Sequence, residues 1–277
     1  MNDKVRMQAI LDEIFIWETE MRHDVRTDFQ RNFDRWLYQK INNIPRSMQQ
    51  LFYSKLDSSL FNLHSFVQSS IIQQDATKRI LSSASTLNKD IHQISDLQSL
   101  PIDRLHYLAD LQTSNHRLYS FLHGGISGTG GMLLTGLDIP TLTILHLRSI
   151  QMVAMCYGYE INNPYEMMTS LKVYHVSLMP KHLQYDHWRE LKKDVDSEEG
   201  FFYFYDGKEE LAQSHSLEFL MKQVAKLSVL TLFKKKLITG LPLVSIAIGA
   251  GVNYQVTRQI TDFANKYYQY RLIKDLS

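Results

Sequence analysis

The sequence predicts an all-α protein, and three observations carry that prediction. Apolar residues recur three or four apart along most of the chain, the period of a helix with one buried face. Proline, asparagine, aspartate and glycine fall where the periodic runs begin and end. Strand signals are nearly absent; the best, FFYFYDG at 201–207, is a single aromatic run between glycines. With 277 residues, 44% hydrophobic and 21% charged, the chain has enough apolar material for a sizeable core. The expectation is a single helical domain over 1–277 with two glycine-rich apolar helical segments packed in its core. Its sections are N-terminal helices (1–98), a glycine-rich signature with following helices (99–178), and a C-terminal third (179–277).

Ile10, Ile14, Trp17, Met21 and Val25 define the first helix, and a less regular continuation through Phe29, Phe33, Trp36 and Leu37 stops near Pro45. Residues 51–67 and 76–94 read as two further helices. Ser99, Pro101 and Asp103 form a start signal for a helix carrying Leu105, Leu108, Leu111 and Leu118. Asp138 and Pro140 mark the start of the next helix, with the Asp138 carboxylate expected to cap it. That helix ends at Gly158, expected as a left-handed residue just past the end. Asn162, Asn163 and Pro164 then open a helix over 164–178. Residues 181–206 have no clear period. A long helix over 208–239 stops at Gly240 and Pro242, and a last one shows the stripe Val252, Val256, Ile260, Phe263, Tyr267 and Tyr270.

The stretch LHGGISGTGGMLLTGLDIP (122–140) holds six glycines but fits no known phosphate-binding or nucleophile pattern. A phosphate-binding GK[ST] loop fails because Met132 follows Gly131. A dinucleotide fingerprint from Gly128 and Gly130 meets Leu133 where glycine is required, and a serine-hydrolase elbow around Ser127 meets Thr129. Close helix contact fits better, because Gly124, Gly128 and Gly136 lie on four-residue multiples. Residues 237–257 repeat the character, with Ser245, Gly249 and Asn253 in one row and Ala247 and Gly251 in another. Both stretches lack formal charge for about twenty residues, the length of a bilayer-spanning helix, and Lys234–Lys236 supply a basic flank to the second. Burial in a core, shallow insertion and true spanning are all open on the sequence.

Other function classes are narrowed by composition. A formal net charge of +1 gives no global attraction to nucleic acid. Cys156 is the one cysteine, so no intrachain disulfide forms, and a reducing compartment fits. The opening MNDKVRMQAILDE has no apolar signal core, which points to the cytosol or the cytosolic face of a membrane. No histidine pair has metal-site spacing, His182 and His187 being five apart, so neither a metal nor a cofactor is expected. Arg148 shares a helix face with Ile144, Leu145, Met152 and Met155, where an unpaired charge would cost several kcal/mol. A carboxylate from another helix is its expected partner.

These residues carry a resemblance. GGISGTGGMLLTGLDIPTLTILHLRSIQMVAMCYGYE resembles the central signature of the EcsC family: a glycine-rich stretch, D-x-P (Asp138, Pro140), an apolar helix with a basic residue (Arg148), then Tyr157–Gly158–aromatic. ILDEIFIWETEM is similar to the family's opening helix with its Trp–Glu pair, here Trp17 and Glu18. GAGVNYQVTRQITDFANKYYQYR resembles the family's ending. The resemblance implies a membrane-associated accessory protein, encoded beside the two subunits of an ABC-type exporter, and transfers no catalytic residues. Gly124, Gly128, Gly131, Gly136, Asp138, Pro140, Arg148, Tyr157, Gly158, Gly249, Gly251 and Asn253 are the signature positions. The function expected is a non-enzymatic binding module whose partners are an ABC-type transporter subunit, the inner membrane surface, or both. The alternatives are a lipid-active or hydrolytic enzyme built on 123–148, with Ser127, Asp138 and Arg148, and an integral, glycine-packed membrane protein.

Overall fold

The computed structural model describes residues 3–23, 70–127, 132–179, 181–196 and 242–277. Seven α-helices follow in order among them: α1 (Asp3–Arg22), α2 (Ser70–Ser85), α3 (Ile102–Ser127), α4 (Met132–Cys156), α5 (Pro164–Ser177), α6 (Lys181–Asp196) and α7 (Pro242–Asp275). A 3-10 turn, Ile94–Ser99, precedes α3. The expected helices over 29–67 and 208–239, and the aromatic run at 201–207, lie outside the described residues.

The 34-residue α7 is the axis of the arrangement. It packs most extensively against α3 and then α4, with α5, α1 and α6 along its remaining sides. Small residues make the α3 contact close: Ala109 and Thr113 on α3 and Thr257, Thr261 and Ala264 on α7 are all fully buried. α6 packs against α1, and α2 packs against α3 and α4. The largest enclosed side chains are Trp188, Tyr157, Tyr174, Tyr267 and Tyr268, so the interior is rich in aromatic rings with polar tips.

Several local readings stand. Ile10, Ile14 and Met21 are the buried face of α1, as their spacing requires. Asn163 caps α5: its side chain accepts from the Glu166 N–H at 2.7 Å, and Pro164 takes the first helical position. Gly158 has φ +84°. Its N–H donates to the Met155 carbonyl at 2.9 Å, and the Tyr159 N–H donates to Ala154 at 3.1 Å. Those two bonds are the paired closure of a helix ending on a left-handed residue.

Other readings are corrected. The expected helix over 76–94 ends at Ser85, where Leu87 and Asn88 N–H groups both turn back onto the Ala84 carbonyl. The Asn88 side chain then accepts from the Asp90 N–H at 3.0 Å, an asparagine turn competing with the helix. Ser99 does not cap α3; its hydroxyl donates to the Asp96 carbonyl at 2.7 Å and closes the 3-10 turn. Asp138 does not cap a helix either, because α4 begins at Met132 and runs through Pro140. Proline there removes one bond, to the carbonyl of Gly136, which a 25-residue helix absorbs. Pro242 opens α7, so the last helix starts well before Val252 and runs unbroken over 242–275; the residues before Pro242 lie outside the described ones. Residues 181–196, without a clear period in sequence, form α6.

The two glycine-rich apolar segments expected in the core are also corrected. Gly124 and Gly125 end α3, Gly136 lies in α4, and Gly128–Gly131 are outside the described residues, so the first stretch is divided between two helices. Gly249 and Gly251 belong to α7, whose charged C-terminal half lowers its apolar character. Among the described residues no helix is long and apolar enough to cross a membrane. The membrane-associated and integral, glycine-packed readings are corrected on that finding.

A side chain at Gly158 would be strained twice, by the backbone and by collision of its Cβ with the Gln98 side chain. Gly158→Ala is expected to lower stability by about 1–3 kcal/mol. In a thermal melt the pair Gly158→Ala with Gln98→Ala should recover the steric part only; full recovery would show that the left-handed backbone is not required.

Candidate functional site

One row on α7 organises the polar interior. Asn253, Thr257, Thr261, Asn265 and Gln269 follow at intervals of four, and every one is buried. Such a row winds slowly around the helix, so successive members face different neighbours. A buried hydroxyl or amide needs a partner, and neighbouring segments supply one to Thr257, Thr261 and the Asn265 Oδ1, while the Asn265 Nδ2 is left without one.

At the upper end, His146 of α4 lies between α5 and α7. Its Nε2 is 3.0 Å from Thr257 Oγ1 and its Nδ1 is 3.2 Å from the Tyr174 hydroxyl. The Thr257 hydroxyl donates to the Asn253 carbonyl at 2.9 Å, so toward His146 it acts as acceptor. That places a proton on Nε2, facing Thr257, with Nδ1 turned to the Tyr174 hydroxyl. Midway, Arg117 of α3 donates through Nε to Thr261 Oγ1 at 3.0 Å and through Nη2 to Asp262 at 3.0 Å and Asp110 at 3.3 Å. Burial raises the Asp262 pKa, and the Arg117 charge acts against it. Lower still, the Tyr157 hydroxyl sits 3.4 Å from both Asn265 Oδ1 and His106 Nδ1.

Below the row, Arg271 of α7 meets Glu166 in the first turn of α5 at 2.7 Å, with both side chains nearly enclosed. The guanidinium also lies 4.0 Å from the centre of the Tyr159 ring and 5.2 Å from that of Tyr165. Burial alone would lower the Arg271 pKa; the Coulomb attraction and hydrogen bond of Glu166 outweigh it and leave the group firmly charged. The Tyr159 hydroxyl, its pKa raised by burial, donates to Asp275 at 2.7 Å.

The Trp–Glu pair of α1 has a separate job. Trp17 meets Trp188 and Phe263 edge to face, at 5.1 and 5.6 Å between ring centres. Glu18 accepts from Trp188 Nε1 at 2.7 Å and from Lys192 Nζ at 2.6 Å. α6 is thereby fixed to α1 at a side chain only 12% exposed.

Of the signature positions, Tyr157, Gly158 and Asn253 belong to this framework. Arg148 is half-buried in α4, and burial lowers its pKa. Gly124, Gly136, Asp138, Pro140, Gly249 and Gly251 are helical, while Gly128 and Gly131 lie outside the described residues. Glu166, Arg271, His146 and Thr257 were not singled out in sequence. The four-residue row from Ser245 to Asn253 continues unbroken to Gln269, and following it further would have found Thr257. Among the described residues no group of three or more histidine, cysteine, aspartate or glutamate side chains is arranged for a metal ion. Cys156 is buried, and burial pushes its thiol pKa up, away from the reactive thiolate.

Removing Glu18 strands a buried indole N–H and an ammonium together. Glu18→Ala should cost about 2–4 kcal/mol by chemical denaturation, and Glu18→Gln less, since the amide oxygen still accepts from Trp188. A loss below ~0.5 kcal/mol for Glu18→Ala would mean the contact is solvated. His175 supplies a pH test. Burial, and then the neighbouring His187 at 6.3 Å between ring centres, lowers its pKa from 6.5 to about 4. The folded chain therefore prefers the neutral ring: its contribution is complete above pH 6.5 and is lost as pH falls from 6.5 to 4. With part of the ring in solvent, about 1–2 kcal/mol is expected over that window. His175→Gln should flatten this part of the stability–pH curve, and an unchanged slope would assign it elsewhere.

Comparison with known proteins agrees with the signature. The uncharacterized protein YdbA of Bacillus subtilis (strain 168) is similar, 24% identical over 132 residues. That match covers 45% of this chain and 48% of YdbA, so about half of the relative's length is spanned. No solved structure matches. The EcsC protein family matches from residue 8 to residue 273, which takes in the Trp–Glu pair of α1, the Tyr157–Gly158 helix end and the polar row of α7. The chain belongs to the EcsC protein family.

Proposed function

We propose that this chain is a non-enzymatic accessory protein of an ABC-type transport system, acting in the cytosol by binding a transporter subunit. The supporting observation is how its reactive side chains are used. Both ring nitrogens of His146 have partners in Tyr174 and Thr257, Glu166 is held by Arg271, and Glu18 by Trp188 and Lys192. Groups that serve as bases or nucleophiles elsewhere are spent on holding helices in position. Family membership supports the partner, since the central signature resembles that of accessory proteins encoded beside an exporter.

The test is affinity purification of the full-length chain from its own cells, quantifying ABC-type transporter subunits against a mock purification. Enrichment of about tenfold or more is expected, and it should survive Ser127→Ala and Asp138→Asn. Two results would overturn the proposal: no enrichment, or an ester- or phospholipid-hydrolysing activity of the pure protein that either substitution abolishes.

A further inference from the structure

A cleft of about 640 Å³ opens between the last turn of α1 and the middle of α6, lined by Met21, Arg22, Tyr185, Asp186 and Arg189. We propose that it binds a small phosphate ester bearing a hydroxyl group close to the phosphate, a site separate from the helix-tying network. Three observations lead there.

First, the cleft holds two guanidinium groups from different helices, the group best matched to the two-oxygen edge of a phosphate. Second, the charges around it are not spent on one another. Asp186 and Arg189 are three apart on α6, a spacing that ordinarily lets a carboxylate and a guanidinium pair. Yet neither they nor Arg22 take part in an ion pair among the described residues, whereas the nearby Lys192, Lys172 and Lys274 each bind a carboxylate. Third, the floor is rigid. Met21 is 4% exposed, and α1 and α6 are joined just below by the Glu18, Trp188 and Lys192 contacts.

The division of labour follows from the chemistry of each group. Arg22 and Arg189 take the phosphate oxygens. The Asp186 carboxylate accepts, so it selects a ligand with a donor beside the phosphate and disfavours a bare dianion. Tyr185 supplies a hydroxyl and an apolar ring edge. Arg22 also complements the C-terminal dipole of α1, so Arg189→Gln is the cleaner variant.

The experiment is calorimetric titration of the full chain with glycerol phosphate and with inorganic phosphate, against sodium chloride at equal ionic strength. Saturable binding of both phosphates is expected, with glycerol phosphate several-fold tighter. Arg189→Gln should weaken both by about tenfold, with circular dichroism unchanged. Asp186→Asn should tighten inorganic phosphate and erase the advantage of glycerol phosphate. Phosphate heats no different from chloride, or Arg189→Gln binding as wild type does, would overturn the proposal. Equal affinities in wild type and Asp186→Asn would overturn the role given to the carboxylate.

Discussion

The demand of buried polar groups for partners is the constraint on which this molecule depends. Asn253, Thr257, Thr261, Asn265 and Gln269 run down the inside of α7 where apolar residues would be expected. Leaving any of them unmet costs about 1–3 kcal/mol, comparable to a sizeable share of the stability of a whole domain. The neighbours are therefore not free to pack by shape alone. α4 must bring His146 to Thr257, α3 must bring Arg117 to Thr261, and the end of α4 must bring Tyr157 to Asn265. Apolar packing, in the stripe through Ile260, Phe263 and Tyr267, supplies cohesion on an adjoining face. The polar row supplies uniqueness, because a shape-matched but misaligned helix would bury orphaned donors.

A second layer attaches through charge. Arg271–Glu166 and Glu18–Lys192 are both ion pairs with little exposure, and each sits against aromatic rings. Buried pairs of this kind add modest net stability compared with an apolar pair, yet are costly to break on one side. Their effect here is positional: one sets α5 against α7, the other sets α6 against α1. The same fixed α1–α6 geometry holds the walls of the open cleft above it.

Much of this was legible in the sequence where a local rule decides the outcome. Gly158 at the end of a helix and Asn163–Pro164 at the start of the next are governed by backbone geometry within a few residues, and both stand. Pro140 stands inside α4 rather than at its start, because a proline's place in a helix depends on what surrounds it. The same residue that breaks a short isolated helix is tolerated in a long packed one, or opens one. Ser99 failed for a related reason: its hydroxyl had a nearer carbonyl at Asp96. The glycine stretches were read as a continuous apolar surface, yet the described helices divide one and merge the other into a charged helix. The partners of His146, Arg271 and Glu18 are 28 to 174 residues away in the chain, and no local pattern reveals them.

The polar row also has an internal symmetry: from Asn253 to Asn265 it reads Asn, Thr, Thr, Asn in both directions. Sliding α7 by four residues, about 6 Å, would place one threonine where the other had been, and Arg117 would again find a hydroxyl. The row resists slippage between turns but distinguishes poorly among whole turns, like the teeth of a rack. What breaks the degeneracy are contacts that occur once along the helix, the meeting of Arg117 with Asp262 and that of Arg271 with Glu166 at its far end. Those ion pairs thus act as the stop on the rack and set the absolute position of the longest helix in the described structure.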